Sequence, residues 1–125
     1  MSANSEPTTI GLSDTAHAKL QQLKEEHYFA EMADGYRFAI ALALAHGASA
    51  PGVTGGRGTI FNVGTLDPDR TIYSAVSALR EPVEEPIYRT AARLAEWGVE
   101  ELYRRTREGR FSFADILSEA ESLQG

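Results

Sequence analysis

From Tyr36 to Gly47 the chain reads Tyr-Arg-Phe-Ala-Ile-Ala-Leu-Ala-Leu-Ala-His-Gly, with eight apolar residues in succession after Arg37. A surface helix carries roughly three or four apolar positions per two turns, so an unbroken run predicts an element covered on most sides. Alternation of Ala with large side chains also fits a buried strand. Ala, however, is depleted in strands and is the strongest helix former. Asp34 is a candidate N-cap at one end, and Gly47 supplies a stop at the other. The segment reads as a core helix: its alanines permit close approach, and Phe38, Ile40, Leu42 and Leu44 fill the gaps. Ile40 and Leu44 are expected to be almost wholly buried.

Elsewhere the polar and apolar positions alternate more sparsely. Thr8 to Leu12 places Ile10 and Leu12 on one face of a short extended segment. Ser13 then caps a helix whose seam is Ala16, Leu20, Leu23 and His27, with Lys19, Gln21, Gln22, Glu25 and Glu26 on the wet side. Thr59 to Val63, ended by Gly64, is the strongest strand pattern. Asp67-Pro68-Asp69 predicts a turn with a carboxylate cap for a helix carrying Ile72, Val76 and Leu79, Tyr73 beside them. Pro82 and Pro86 bracket an acidic connector, and Pro86 opens the longest helix, which runs to about Glu108. Its stripe is Ile87, Ala91, Leu94, Gly98 and Leu102, widened by Tyr88, Ala95, Trp97 and Val99. Ser112 caps a last amphipathic helix through Ala114, Ile116, Leu117, Ala120 and Leu123. Residues 1–6 read as a disordered tail and 48–58 as a flexible Gly-rich loop. The expected fold is therefore mainly α. It is a single domain spanning 1–125, with about five helices around the buried Ala/Leu-rich helix and one or two short strands.

Composition narrows the function. A chain of 125 residues, 42% hydrophobic and 24% charged, is long enough for a core of its own. It has no cysteine, which removes disulfides and thiolate chemistry. With 12 Lys and Arg against 18 Asp and Glu, the net charge of −6 opposes a broad grip on phosphate backbones. No run reaches the roughly 18 apolar residues of a membrane span, and the N-terminus lacks the basic and apolar regions of a signal peptide. A cytoplasmic protein without membrane contact is the expectation.

No motif carries catalysis. The stretch Gly52 to Gly58 lacks the Gly-Lys-Ser/Thr ending of a phosphate loop and precedes a strand rather than a helix. His17, His27 and His46 are too far apart in sequence to form a zinc pattern. The pairs Asp67/Asp69, Glu84/Glu85 and Glu100/Glu101 lie in caps and wet helix faces rather than in opposed environments. No catalytic, cofactor-binding or metal-ligating residue is expected, and the protein reads as a non-enzyme.

One cluster merits a binding hypothesis. At about 100° per residue, Arg89, Arg93, Arg104 and Arg107 gather on one side of the long helix, with Trp97 and Tyr103 on the same helix. Arg and aromatic residues together are typical of protein interface centres. Equally, Trp97 can complete the core while the arginines complement the helix dipole and pair with Glu100, Glu101 and Glu108.

Two resemblances follow from these patterns. A short alternating strand followed by two helices resembles a ribbon-helix-helix unit. There two chains pair their strands and read DNA with outward side chains, here Thr9 and Gly11. Over roughly Tyr28 to Leu117 the chain is similar to small accessory proteins encoded beside bacterial DNA phosphorothioation (Dnd) modification and restriction genes, the Dnd system-associated protein 4 type. Phe29, Met32, Asp34, Tyr36, Phe38-Ala39 and Gly47 carry that likeness, with Ala95-Glu96-Trp97-Gly98-Val99-Glu100-Glu101-Leu102. It implies a non-catalytic accessory protein of an anti-phage defence locus, acting through protein contacts with a defence component or with itself. The ribbon-helix-helix likeness implies instead a DNA-binding regulator or antitoxin.

Overall fold

The computed structural model describes residues 6–47, 57–80 and 84–109. Their order is β1 (Thr9–Ser13), α1 (Asp14–Glu25), α2 (Met32–Ala45), β2 (Arg57–Asn62), α3 (Val63–Leu66), α4 (Thr71–Leu79) and α5 (Ile87–Arg107). The protein is mainly α, with one two-stranded antiparallel sheet among the described residues. The expected helix at 112–123 and most of the expected loop at 48–58 lie outside them. Arg57 and Gly58, assigned to that loop, belong instead to β2.

Helix α2 is the element the others cover. Its Tyr36, Ala39, Ile40, Leu42 and Ala43 are buried, and they join one core with residues of every other helix. Three details differ from the sequence pattern. Leu44 is only half-buried, because its side of α2 faces an open groove shared with α4. Asp34 lies inside the first turn; Glu31 is the N-cap and makes no side-chain cap bond. His27 leaves the α1 seam altogether: the helix ends at Glu25, and His27 is an exposed turn residue with φ of 68°.

The N-terminal strand is secured on both edges. β1 pairs with β2 of the same chain, Thr9 opposite Asn62 and Ser13 opposite Arg57, with an irregularity between Ile10 and Gly11. Its other side is held where the Tyr36 hydroxyl donates to the Gly11 carbonyl at 2.9 Å and the Ser13 amide donates to Glu96 at 3.1 Å. Ile10 and Leu12 face the core as expected. Gly11 is also buried, so only Thr9 of the two expected DNA-reading positions points outward.

Helix ends are fixed by carboxylates from distant residues. Glu6, the last residue of the expected tail, accepts from the Ile87 and Tyr88 amides at 2.7 and 2.9 Å, capping α5. Asp67, 4% exposed, accepts from the Ile72 and Tyr73 amides at 2.9 and 3.0 Å, and from the Tyr88 hydroxyl at 2.7 Å. The turn before α4 thus supplies the predicted cap. It also ties α4 to α5.

Candidate functional site

Helices α1 and α5 lie side by side in the same direction, and polar rungs join them in order. The Ser13 hydroxyl donates to Glu96, Lys19 pairs with Glu100, the Tyr103 hydroxyl donates to Gln22 at 3.1 Å, and Arg107 pairs with Glu26. Each rung crosses the gap between helices whose buried residues, Leu20 and Leu23 on α1 and Val99 and Leu102 on α5, belong to one core. Apolar contact sets the spacing, and the polar side chains fix the register.

Near the C-terminal end of α5 this seam opens into a concavity of about 440 Å³ lined by Lys19, Trp97, Glu100, Glu101, Tyr103, Arg104, Arg107 and Glu108. Tyr103 is half-buried, and the Lys19 and Arg107 cations lie over its ring at 5.3 and 4.7 Å from the centroid. Trp97 is half-buried, its rings tilted at 43° to His46 with centroids 5.9 Å apart. Part of each aromatic packs on the core while the rest faces outward among charges. Arg104 bridges Glu101 and Glu108, at 2.5 and 3.0 Å, and Arg105 shares Glu101 at 2.7 Å.

These pairs set the protonation states. Partial burial pulls the Glu101 pKa upward, but hydrogen bonds from Arg104 and Arg105 outweigh it and hold the carboxyl below its ordinary value. The Arg107 hydrogen bond lowers Glu26 as well, and the same pairs raise Arg104 and Arg107. Glu26, Glu101, Arg104 and Arg107 are thereby held in their ionised forms, whereas proton transfer needs a group that titrates near working pH.

Of the six residues expected to form one site, the fold brings four together: Trp97, Tyr103, Arg104 and Arg107. Arg93 pairs instead with Glu85 at 2.6 Å, and Thr90 links Glu85 to Arg80. Arg89 is exposed and lines a separate concavity beside Thr9, Gly11 and Thr59. Angular alignment on a helix does not bring residues together along its axis. Arg93 and Arg89 lie about 6 and 12 Å along α5 before Trp97, the first residue of that helix to line the concavity. Lys19 joins the site from another helix, 81 positions from its partner Glu100, and nothing local in the sequence marks it.

Among the described residues no group of three or more His, Asp or Glu side chains could hold a metal, and no helix is long and apolar enough to cross a membrane. No family model, curated protein or solved structure matches the chain.

Proposed function

We propose that the protein is a non-catalytic accessory subunit that docks a protein partner on the α1/α5 concavity, in an anti-phage defence system of the modification and restriction type. The observation that carries this reading is the pairing of two half-exposed aromatics, Trp97 and Tyr103, with fixed charges of both signs in one concavity. Aromatic and Arg side chains release most binding energy at protein interfaces, since they bury large areas at little cost in rotamer freedom. The charge balance favours a protein over a nucleic acid. Lys19, Arg104 and Arg107 each already hold a Glu, so a phosphate backbone would have to displace a carboxylate for every contact made. The defence setting rests on the likeness to Dnd-associated accessory proteins. A DNA-binding regulator of ribbon-helix-helix type is the weaker reading, because β1 already has its strand partner within the chain.

The test uses the tagged full-length protein in extract of its native host. Wild type should capture a partner encoded among DNA modification or restriction genes, and Arg104→Glu/Arg107→Glu should lose it. Arg89→Glu, on the same helix but outside the concavity, should retain capture. Capture that survives the double reversal, or that Arg89→Glu abolishes equally, overturns the site. A partner unrelated to DNA modification overturns the defence setting.

A further inference from the structure

A second face of the molecule has the opposite character. Helix α4, Thr71-Ile-Tyr-Ser-Ala-Val-Ser-Ala-Leu79, contains no charged residue, although five of its nine positions are exposed: Thr71, Ser74, Ser77, Ala78 and Leu79. The exposed sides of α1 and α5 carry Lys, Arg and Glu in quantity. Depletion of charge marks the centre of an interface rather than a solvated face. Leu79 is 62% exposed, the single large apolar side chain so exposed among the described residues. One turn back along the helix from Leu79, at Ala75, a groove of about 480 Å³ opens between α2 and α4, lined by Ile40, Ala41, Leu44, Leu66, Ile72 and Ala75, with Arg37 and Asp69 among its polar residues.

We propose that this face is a two-fold interface between copies of this chain, in which Leu79 of each copy enters the α2/α4 groove of the other. The projecting side chain and the recess sit on one side of one helix. At about 100° per residue, positions 71, 75 and 79 fall within 80° of one another. They are separated along the axis by about 12 Å. An isologous contact needs that arrangement, because each copy must offer both halves of the fit on the same patch. Antiparallel packing of α4 against its mate about an axis near Ala75 sets Leu79 opposite Thr71 and Ile72 of the second copy. The small Ala75, half-buried, allows the two helices to approach at the axis. The same rotation sets Arg80 near the second copy's Arg70, but Arg80 turns back to donate to Thr90 of its own α5 at 2.6 Å. Arg70 in turn is stacked over the Tyr73 ring at 4.0 Å from its centroid, so neither cation projects into the contact. A small apolar ligand would fill the groove and leave Leu79 in water; a second copy covers both.

The absence of cysteine makes the test clean. Wild type should sediment as a dimer over a concentration series, and Leu79→Glu should sediment as a monomer with unchanged helical content. Under oxidation Ala75→Cys should give a disulfide-linked dimer, whereas Gln21→Cys, on the exposed side of α1, should not. A monomeric wild type, a Leu79→Glu variant that stays dimeric, or equal cross-linking by both cysteine variants overturns the interface. Since the aromatic concavity lies on α1 and α5, Leu79→Glu should not alter partner capture there, and the two proposals fail separately.

Discussion

Gly98 of α5 lies directly against the backbone of Ala39 in α2: a Cβ placed on Gly98 would stand 2.1 Å from the Ala39 carbonyl oxygen. The two longest helices therefore cross through their smallest side chains, and backbone meets backbone. Gly98→Ala should destabilise the fold by about 1–3 kcal/mol or more. The upper part of that range is expected, because the obstructing atom belongs to a helix and cannot rotate away. Chemical denaturation of the variant checks this. A midpoint equal to wild type would mean that the crossing is looser than described.

The contact between Asp67 and Tyr88 predicts an alkaline loss of stability. Burial first, and then the hydrogen bond to Asp67, raises the Tyr88 pKa well above that of an exposed tyrosine. Folded protein thus holds the proton at a pH where unfolded chain has released it. The resulting stabilisation is complete below about pH 10 and declines as pH rises beyond that value. Phenolate absorbance of the folded protein should show at least one of the five tyrosines still protonated at a pH where a free tyrosine has titrated. Tyr88→Phe should flatten the alkaline decline. Asp67→Ala should cost about 2–4 kcal/mol at neutral pH, since it removes a helix cap and leaves a buried hydroxyl without its acceptor.

Ile40 and Leu44, one helical turn apart on α2, should respond unequally to truncation. Ile40 is 2% exposed, and Ile40→Ala should cost about 2–5 kcal/mol through lost transfer energy and the cavity left behind. Leu44 is half-buried at the groove. Its truncation removes less area from the core and opens no closed void, so Leu44→Ala should cost about 1–2 kcal/mol. Both truncations are compared in the Leu79→Glu background, where no second copy fills the groove, and equal losses in thermal melts there would show that Leu44 is covered within its own chain.

Local periodicity conveyed much of this architecture and little of its wiring. The run from Phe38 to Ala45 identified the covered helix, and Asp67-Pro68-Asp69 identified a capped turn, because apolar burial and capping act over a few residues. Leu44 is less buried than its pattern implies, because a helix pattern does not say which sector a neighbour leaves open. Arg93 and Arg89 were grouped with Arg104 by angle, though axial distance and Glu85 decide where they go. Val63 closes the strand pattern and Gly64 ends it, yet Val63 to Leu66 form a single turn of helix that leads towards the Asp67 cap. The rungs between α1 and α5 join residues about 80 positions apart, and no local pattern encodes that pairing.

The longest-range of the caps yields the last prediction. The Glu6 carboxylate receives both the Ile87 and the Tyr88 amides, and so supplies from the far end of the chain what Pro86, the N-cap of α5, cannot. Two amide donors at a helix N-terminus also favour a negative charge through the helix dipole. Glu6→Ala should therefore cost about 0.5–2 kcal/mol, the range for losing an N-cap. Glu6→Gln keeps one acceptor oxygen without the charge and should fall between wild type and Ala. Amide hydrogen exchange gives the sharper measurement. Ile87 and Tyr88 should lose protection in Glu6→Ala, while the Ala39 to Ala43 amides of α2 change only as much as global stability does. Unchanged protection at Ile87 and Tyr88 would show that another group caps α5 in solution.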